Sequence, residues 1–480
     1  MQSKIDFASF PRPVPAGFFK NNRARFLALL KTSPKFPSNG LIFLKGPVEV
    51  QRYDDDSSLG VNPEPFFFYL FGVTDPDTYA MIDLKTGLAT LFVRLPDPSE
   101  SFWTNFKSLD DFKKTYEIDD AKSTDELEAF LKNYGDAKSF SIYLNYGKSV
   151  YSQAFSATPR EDFKDLLAQY TVDDSSLYEY ACESRVLKSD QEIEILKDSI
   201  ALTTHAHETV MKTVLPGHTE AQISNLFTSV RMLHGASLAY GNICCAGHNG
   251  SYLHYDPDEN VKFKNGDLLL IDSAVKVNGY CSDITRTYPV NGKFTQRQKD
   301  IYNIVLKAQA DSLAATKAGV LYQDTHIVAE RTIVEGLIKL GLVRGDVHTA
   351  WEKRVSWYFM PHGLGHYIGL YTHDLPGLVA KENNFKPYPN MRVAIKRILE
   401  PGMVITCEPG IYFNDILLEE GYKDPNAGPL LVKEVIEQYK SEVGGVRIED
   451  MVVITKDGNT MLSGDLIKTV DEIEQFMRDR

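Results

Sequence analysis

The residues best able to do chemistry in this chain are acids set in apolar strand runs and histidines set among glycines. The segment GDLLLIDSAVKVNGYCSDITRTYPV (266–290) is the most informative. LLLIDSAV is a strand signal, and Asn278-Gly279 is the preferred pair for a tight type I′ hairpin turn. With that turn, Val277 pairs with Tyr280, Asp272 faces Thr285 and Ala274 faces Asp283. Asp272 and Asp283 then lie on one sheet face as diagonal neighbours, with Cβ atoms roughly 7–8 Å apart or somewhat less. A single Asp on a strand more often faces solvent, but the flanking LLLI makes a solvated strand implausible. Two acids in a buried strand pair need a metal, an Arg or a proton to compensate them.

Two further acids have similar settings. Glu408 ends the strand run GMVITCE, just before Pro409-Gly410, and Glu449 sits in the strand run VRIEDMVVIT, closed by an Asp457-Gly458 turn. Arg447 shares the face of Glu449, and a surface salt bridge explains that pair equally well on local grounds. Asp450 points the other way and is expected to be an ordinary solvated or capping acid. The stretch HGLGHYIGLYTHD (362–374) adds His362, His366 and His373, three of the chain's 11 histidines. It lacks the Glu of a zinc-protease helix, and its glycines disfavour a helix. Two Asp, two Glu and at least one His make an oxygen-rich donor set. Such a set suits a pair of Mn²⁺-like ions better than a structural zinc. Two ions about 3.5–4 Å apart form a hydrolytic site.

The elements that must position these groups can be read in outline. The 480 residues exceed what one core usually serves, so two domains are expected. Every histidine lies at or after position 205 and every cysteine at or after 182, which assigns the chemistry to the second part. The first part, 1–180, reads as an α/β domain. It has a helix at Asn21–Leu30 and strand candidates at GLIFLKG, PFFFYLFGV, TYAMIDL, LATLFVRL and SFSIYLNYG, with a helix at Thr124–Tyr134. The second part, 185–480, opens with capping boxes at Ser189/Glu192, Thr219/Gln222 and Thr295/Gln298, each heading a helix. A formal net charge of −13 gives no basic face for nucleic acid. No apolar run is long enough to span a bilayer and no secretory signal is evident. Five cysteines without C-x-x-C fit a reducing, cytoplasmic setting.

Four segments resemble the metal-binding segments of the Xaa-Pro peptidases: IDSAVKVNGYCSDITRTYP, FMPHGLGHYIGLYTHD, LEPGMVITCEPGIYF and GGVRIEDMVVIT. These enzymes, prolidase and aminopeptidase P, share the pita-bread fold with methionine aminopeptidase. The segment QRYDDDSSLGVNPEPFFFYLFGVTDPDTYAMIDLKTGLATLFV resembles the N-terminal domain of eukaryotic prolidase. The resemblance implies an α/β (α+β) chain: a creatinase/prolidase-like N-terminal domain for dimerisation and substrate access, then a pita-bread domain with a curved antiparallel sheet.

It also implies a site. Asp272, Asp283, His366, Glu408 and Glu449 correspond to the ligands of two divalent ions, Mn²⁺ foremost with Co²⁺, Zn²⁺ or Fe²⁺ as alternatives. Asp283 and Glu449 bridge the ions, and Glu408 shuttles the proton. His254, in SYLHYDP, matches a histidine near the scissile bond. His373 matches one that binds substrate or the tetrahedral intermediate, and His362 lines the site. Tyr240 and Arg447 match residues that hydrogen-bond the ligands. Trp103 resembles an aromatic residue contributed by a partner subunit, so a homodimer is implied. The remaining histidines are expected to be surface or satisfied core.

The implied reaction is hydrolysis of the bond between any residue and a following proline. The implied substrate is a dipeptide with C-terminal proline, as in prolidase; the alternative is removal of an N-terminal residue before proline, as in aminopeptidase P. HGLGH favours prolidase over the HGTSH common in aminopeptidase P. A dipeptidase must bind a free carboxylate, usually with Arg. Alignment places Ala394 at the prolidase Arg position, and Arg392, with Arg397 on the other side, is the candidate in its stead. A metal-free pita-bread binding module is a further alternative, disfavoured by the presence of all five ligands.

Overall fold

The computed structural model describes residues 10–100, 102–103, 105–375 and 394–480. They form two compact units, one of Val14–Val186, the other of Leu187–Arg480 with the stretch ending at Pro13. Arg12 belongs with the second unit because it ion-pairs with Asp198, and its carbonyl accepts from Asn278 Nδ2.

The first unit runs α1 (Phe18–Leu30), β1 (Gly40–Lys45), β2 (Val48–Gln51), β3 (Ser58–Asn62), α2 (Pro65–Phe71), β4 (Thr78–Asp83), β5 (Ala89–Val93), α3 (Leu109–Tyr116), β6 (Asp120–Ser123), α4 (Leu127–Tyr134), β7 (Ser141–Leu144), α5 (Lys164–Leu167), β8 (Thr171–Asp173) and α6 (Leu177–Glu183). Its mixed sheet has the order β6-β5-β4-β1-β7-β8. Leu41, Phe43, Met81, Phe92 and Ile142 of the sheet pack against Leu127 and Leu131 of α4. One expectation fails here: PFFFYLFGV is not a strand but α2. Pro65 takes its first position, Glu64 accepts from Phe67 N as the cap, and Gly72 ends it at φ 69°. An apolar run buried on nearly every side has no period to tell helix from strand, so the flanking cap residues decided it.

The second unit runs α7 (Asp190–Thr213), α8 (Glu220–Leu233), β9 (Ser237–Leu238), β10 (Ile243–Ala246), β11 (Leu268–Asp272), β12 (Val275–Val277), β13 (Tyr280–Cys281), β14 (Thr285–Pro289), α9 (Gln296–Ala315), α10 (Tyr322–Lys339), α11 (Val347–Glu352), β15 (Val404–Cys407), β16 (Gly410–Tyr412), α12 (Asp415–Lys423), α13 (Lys433–Val443), β17 (Gly445–Arg447), β18 (Asp450–Ile454), β19 (Asn459–Met461) and α14 (Val470–Arg478). The three expected capping boxes head α7, α8 and α9. The strands pair antiparallel in short sets, β10-β11-β14, β13-β12-β9, β15-β18-β19 and β16-β17. Helices α7, α8 and α9 pack against these strands. The ladders break where the candidate ligands sit, which turns those side chains inward.

Candidate metal centre

The hairpin forms in the expected register. Asp272 pairs with Thr285 at the end of β11, and Val277 pairs with Tyr280 beyond it. Asn278 and Gly279 take φ 47° and 83°, as a type I′ turn requires. Between these two ladders the strands part at Ser273–Ala274 and Ser282–Ile284. Asp272 and Asp283 meet across that gap, for the Tyr240 hydroxyl lies 2.5 Å from Asp272 Oδ1 and 2.5 Å from Asp283 Oδ1.

His366 comes from the glycine-rich turn. Its Nδ1–H donates to the Tyr367 carbonyl at 3.0 Å, which leaves the Nε2 lone pair free for a cation. That Nε2 lies 3.4 Å from Asp283 Oδ2, 3.5 Å from Glu408 Oε1 and 4.0 Å from Glu449 Oε1. Gly365 is required here, since a Cβ would collide with the Thr406 carbonyl. Glu408 follows β15 directly. Glu449 falls between β17 and β18 rather than inside one strand, where its N–H reaches Thr285 O at 3.1 Å. Asp283, His366 and Glu449 have ligand atoms mutually within 4.8 Å. Asp272 and Glu408 flank that trio.

The electrostatics follow from crowding. Burial, then the neighbouring Asp272, holds the Asp283 carboxyl well above its ordinary range. Burial and then Asp283 do the same to Glu449, and burial and then Glu449 to Glu408. Arg447 stays charged despite burial, because Tyr412 and Asp272 stand beside it. Its Nη2 donates to Asp272 Oδ2 at 2.7 Å and its Nη1 to Tyr412 Oη at 3.0 Å. The surface-salt-bridge reading of Arg447 with Glu449 therefore fails: Arg447 is buried, and its carboxylate partner is Asp272.

Two observations test whether a cation fits. Glu449 Oε1 is buried without a hydrogen-bond partner among the described residues. The single hydroxyl hydrogen of Tyr240 cannot serve both Asp oxygens at once. Both ask for positive charge between the carboxylates, and the donor set of carboxylate oxygens with one imidazole nitrogen suits a divalent ion. The residues fit the group.

The histidines divide. His373 stacks edge-on to His366 at 4.3 Å between ring centres, and burial pushes it down to about 4. His362 is pushed to about 3 by burial and then Arg447; its Nδ1 is 2.8 Å from Gly363 O and its Nε2 2.9 Å from the Tyr412 hydroxyl. His254 is exposed.

A family model described as metallopeptidase family M24 matches residues 194–456, and one described as the aminopeptidase P N-terminal domain matches residues 19–143. The chain belongs to metallopeptidase family M24. Among M24 relatives it is 35% identical to the Xaa-Pro dipeptidase of Mus musculus, over 97% of this chain and 94% of that one. It is 34% identical to a probable Xaa-Pro aminopeptidase of Phaeosphaeria nodorum, over 92% of both. Of solved structures, the aminopeptidase PepP of Pseudomonas aeruginosa superposes with a TM-score of 0.80 at 26% identity, covering 97% of this chain and 98% of that one. Escherichia coli aminopeptidase P with the inhibitor Pro-Leu gives 0.77 at 29%, covering 96% and 98%.

Of the other expected residues of this M24 enzyme, Trp103 lies in the unit Val14–Val186. Trp103 is 78% exposed and touches Phe102. Arg392 lies outside the described residues, while Arg397 is ion-paired with Glu400. Asp450 is a correction: it is fully buried, not solvated, and ion-paired with Arg286 and Lys468. Arg286 also donates from Nη1 to the Glu449 carbonyl at 2.7 Å, so this pair ties β14 to the turn that carries Glu449. Sequence reasoning missed Arg286, Tyr412 and Thr285, whose hydroxyl donates to Glu449 Oε2 at 2.7 Å. Arg286 alone had a signal, as a charge in a strand otherwise buried.

Proposed function

We infer that this M24 enzyme hydrolyses the Xaa-Pro bond at a dinuclear centre held by Asp272, Asp283, His366, Glu408 and Glu449. The observation that carries this reading is the convergence of Asp283, Glu408 and Glu449 on His366 Nε2. Mn²⁺ is the ion that best suits these donors, ahead of Co²⁺, Zn²⁺ and Fe²⁺. Bound there, two ions supply Lewis-acid activation of water and of the scissile carbonyl. Glu408, whose proton affinity is raised by burial, takes the proton of the attacking water and gives it to the proline nitrogen, which must be protonated to leave. His373, kept neutral by burial, offers a hydrogen bond to the developing oxyanion, and His254 reaches the substrate from the exposed side. Arg447 and Tyr240 hold Asp272 and Asp283 in place.

The favoured substrate is a dipeptide ending in proline, in keeping with the Xaa-Pro dipeptidases at 35% identity over 97% of the chain. Arg392 is the candidate for its carboxylate. The second reading, removal of a residue before proline from a longer peptide, is favoured by Ala394 at the expected Arg position and by the engagement of Arg397 with Glu400. Metal analysis of the purified protein, with hydrolysis of Gly-Pro beside a Xaa-Pro-Xaa tripeptide, separates them. Cleavage of the dipeptide alone supports the first reading, and cleavage of the tripeptide the second. No metal and no cleavage would leave a binding module and sink both.

The N-terminal unit is proposed to serve dimerisation and substrate access. The exposed Phe102–Trp103 pair supports a homodimer, to be checked by sedimentation. Five free buried cysteines support a cytoplasmic setting. No helix among the described residues is long and apolar enough to cross a membrane.

A further inference from the structure

Helix α7 carries a polar stripe on its buried face. Ser199, Thr203 and His207 recur every four residues and are each 0% exposed. Every one of them bonds to the segment between the two aspartates. Ser199 Oγ donates to the Tyr280 carbonyl at 2.8 Å. Thr203 Oγ1 accepts from Val275 N at 3.0 Å and shares a hydrogen bond with Ser282 Oγ at 2.8 Å. His207 Nε2 lies 3.0 Å from the Ser273 carbonyl and 3.2 Å from the Ile284 carbonyl.

Both partners of His207 Nε2 are acceptors, so Nε2 carries the hydrogen. Ser273 and Ile284 are the residues directly after Asp272 and Asp283. They stand in the gap between the two ladders of the hairpin, where Ser273 N is 3.5 Å from Ile284 O. The imidazole thus clasps the two chains at the gap through which both carboxylates project. Its Nδ1 is buried without a hydrogen-bond partner among the described residues, and the ring packs edge-on to Phe227 at 5.4 Å. A residue needed only to fill this space would be apolar, because an unpaired buried nitrogen is costly.

We propose that His207 is a positioning residue for the metal centre: by holding the carbonyls of Ser273 and Ile284, it sets the spacing at which Asp272 and Asp283 face each other. This rests on the dinuclear reading given above. Full-length wild type, His207→Phe, His207→Gln and His207→Asn would be compared by Mn²⁺ calorimetry, Co²⁺ absorption spectra and metal-free thermal melts. His207→Phe keeps the packing and removes the donor. It should bind Mn²⁺ about ten-fold or more weakly, in the range for loss of a group that orients ligands, with a changed Co²⁺ spectrum. His207→Gln, with an N–H of similar reach, should recover most of the affinity. Wild-type affinity and spectrum in His207→Phe, whatever its melting temperature, overturn the proposal. Where His207→Phe does not fold, the shorter His207→Asn must bind Mn²⁺ more weakly than His207→Gln, and equal binding overturns it. A wild type that takes up no divalent ion refutes the dinuclear reading itself; a wild type that binds metal beside an unaffected His207→Phe refutes only the positioning role.

Discussion

At the scale of single residues, the site is a set of acids that cannot all be ionised without a cation. Asp283, Glu449 and Glu408 are held above their ordinary range by burial and by one another. A raised folded-state value means that these groups stabilise the metal-free fold fully below their ordinary range and lose that contribution as pH rises through the raised values. Metal binds the ionised forms, so binding must expel protons. Mn²⁺ affinity should therefore fall as pH is lowered from about 8 to about 6, with proton release detectable by calorimetry in buffers of different ionisation heat. A flat affinity across that range would contradict the shifts. Asp283→Ala and Glu449→Ala should each abolish metal uptake and turnover, read by metal analysis and peptide hydrolysis; normal turnover by Asp283→Ala would sink the ligand assignment. Tyr240→Phe should be milder, about 10- to 100-fold in metal affinity or rate, because it removes a hydrogen bond to the ligands and not a ligand.

At the scale of elements, interrupted ladders do the positioning. The hairpin keeps one register on both sides of its gap, and the gap is where Asp283 turns in. The β17–β18 break does the same for Glu449. Arg286 and Asp450, both fully buried, lock that second break from behind. Burial raises Asp450, yet Arg286 and Lys468 outweigh it and hold the carboxylate below its ordinary range. Asp450→Ala leaves Arg286 charged and unpaired in the core, which should cost about 3–5 kcal/mol of stability. Denaturant unfolding checks this. A cost near zero would show that water reaches Arg286 in the folded protein. Capping boxes, the Asn278-Gly279 turn and the strand runs were legible because each is written in neighbouring residues. The helix at Pro65–Phe71 reads as a strand in the sequence because an unbroken apolar run has no period; what marks it as a helix is the pair of caps at Glu64 and Gly72.

At the scale of the whole molecule, every proposed metal ligand lies in the unit Leu187–Arg480. Metal should therefore slow hydrogen exchange around β11, β14 and β15 while leaving β1, β4 and β5 of the other unit unchanged. Removal of metal with a chelator should reverse this. Equal protection of both units by metal would mean that they open as one cooperative body.

What the sequence alone determined is the family resemblance, five candidate donors in a recognisable order, and a hairpin register set by one turn. Those are local or ordered features that survive without coordinates. Only the tertiary structure decided the partners. It gave Arg447 to Asp272 rather than to Glu449, buried Asp450 against Arg286, and set His207 behind the two aspartates. Each of these contacts joins positions more than sixty residues apart. Charge and hydrogen-bonding capacity can be read from a residue's type, but the group that satisfies them is chosen by how distant segments pack.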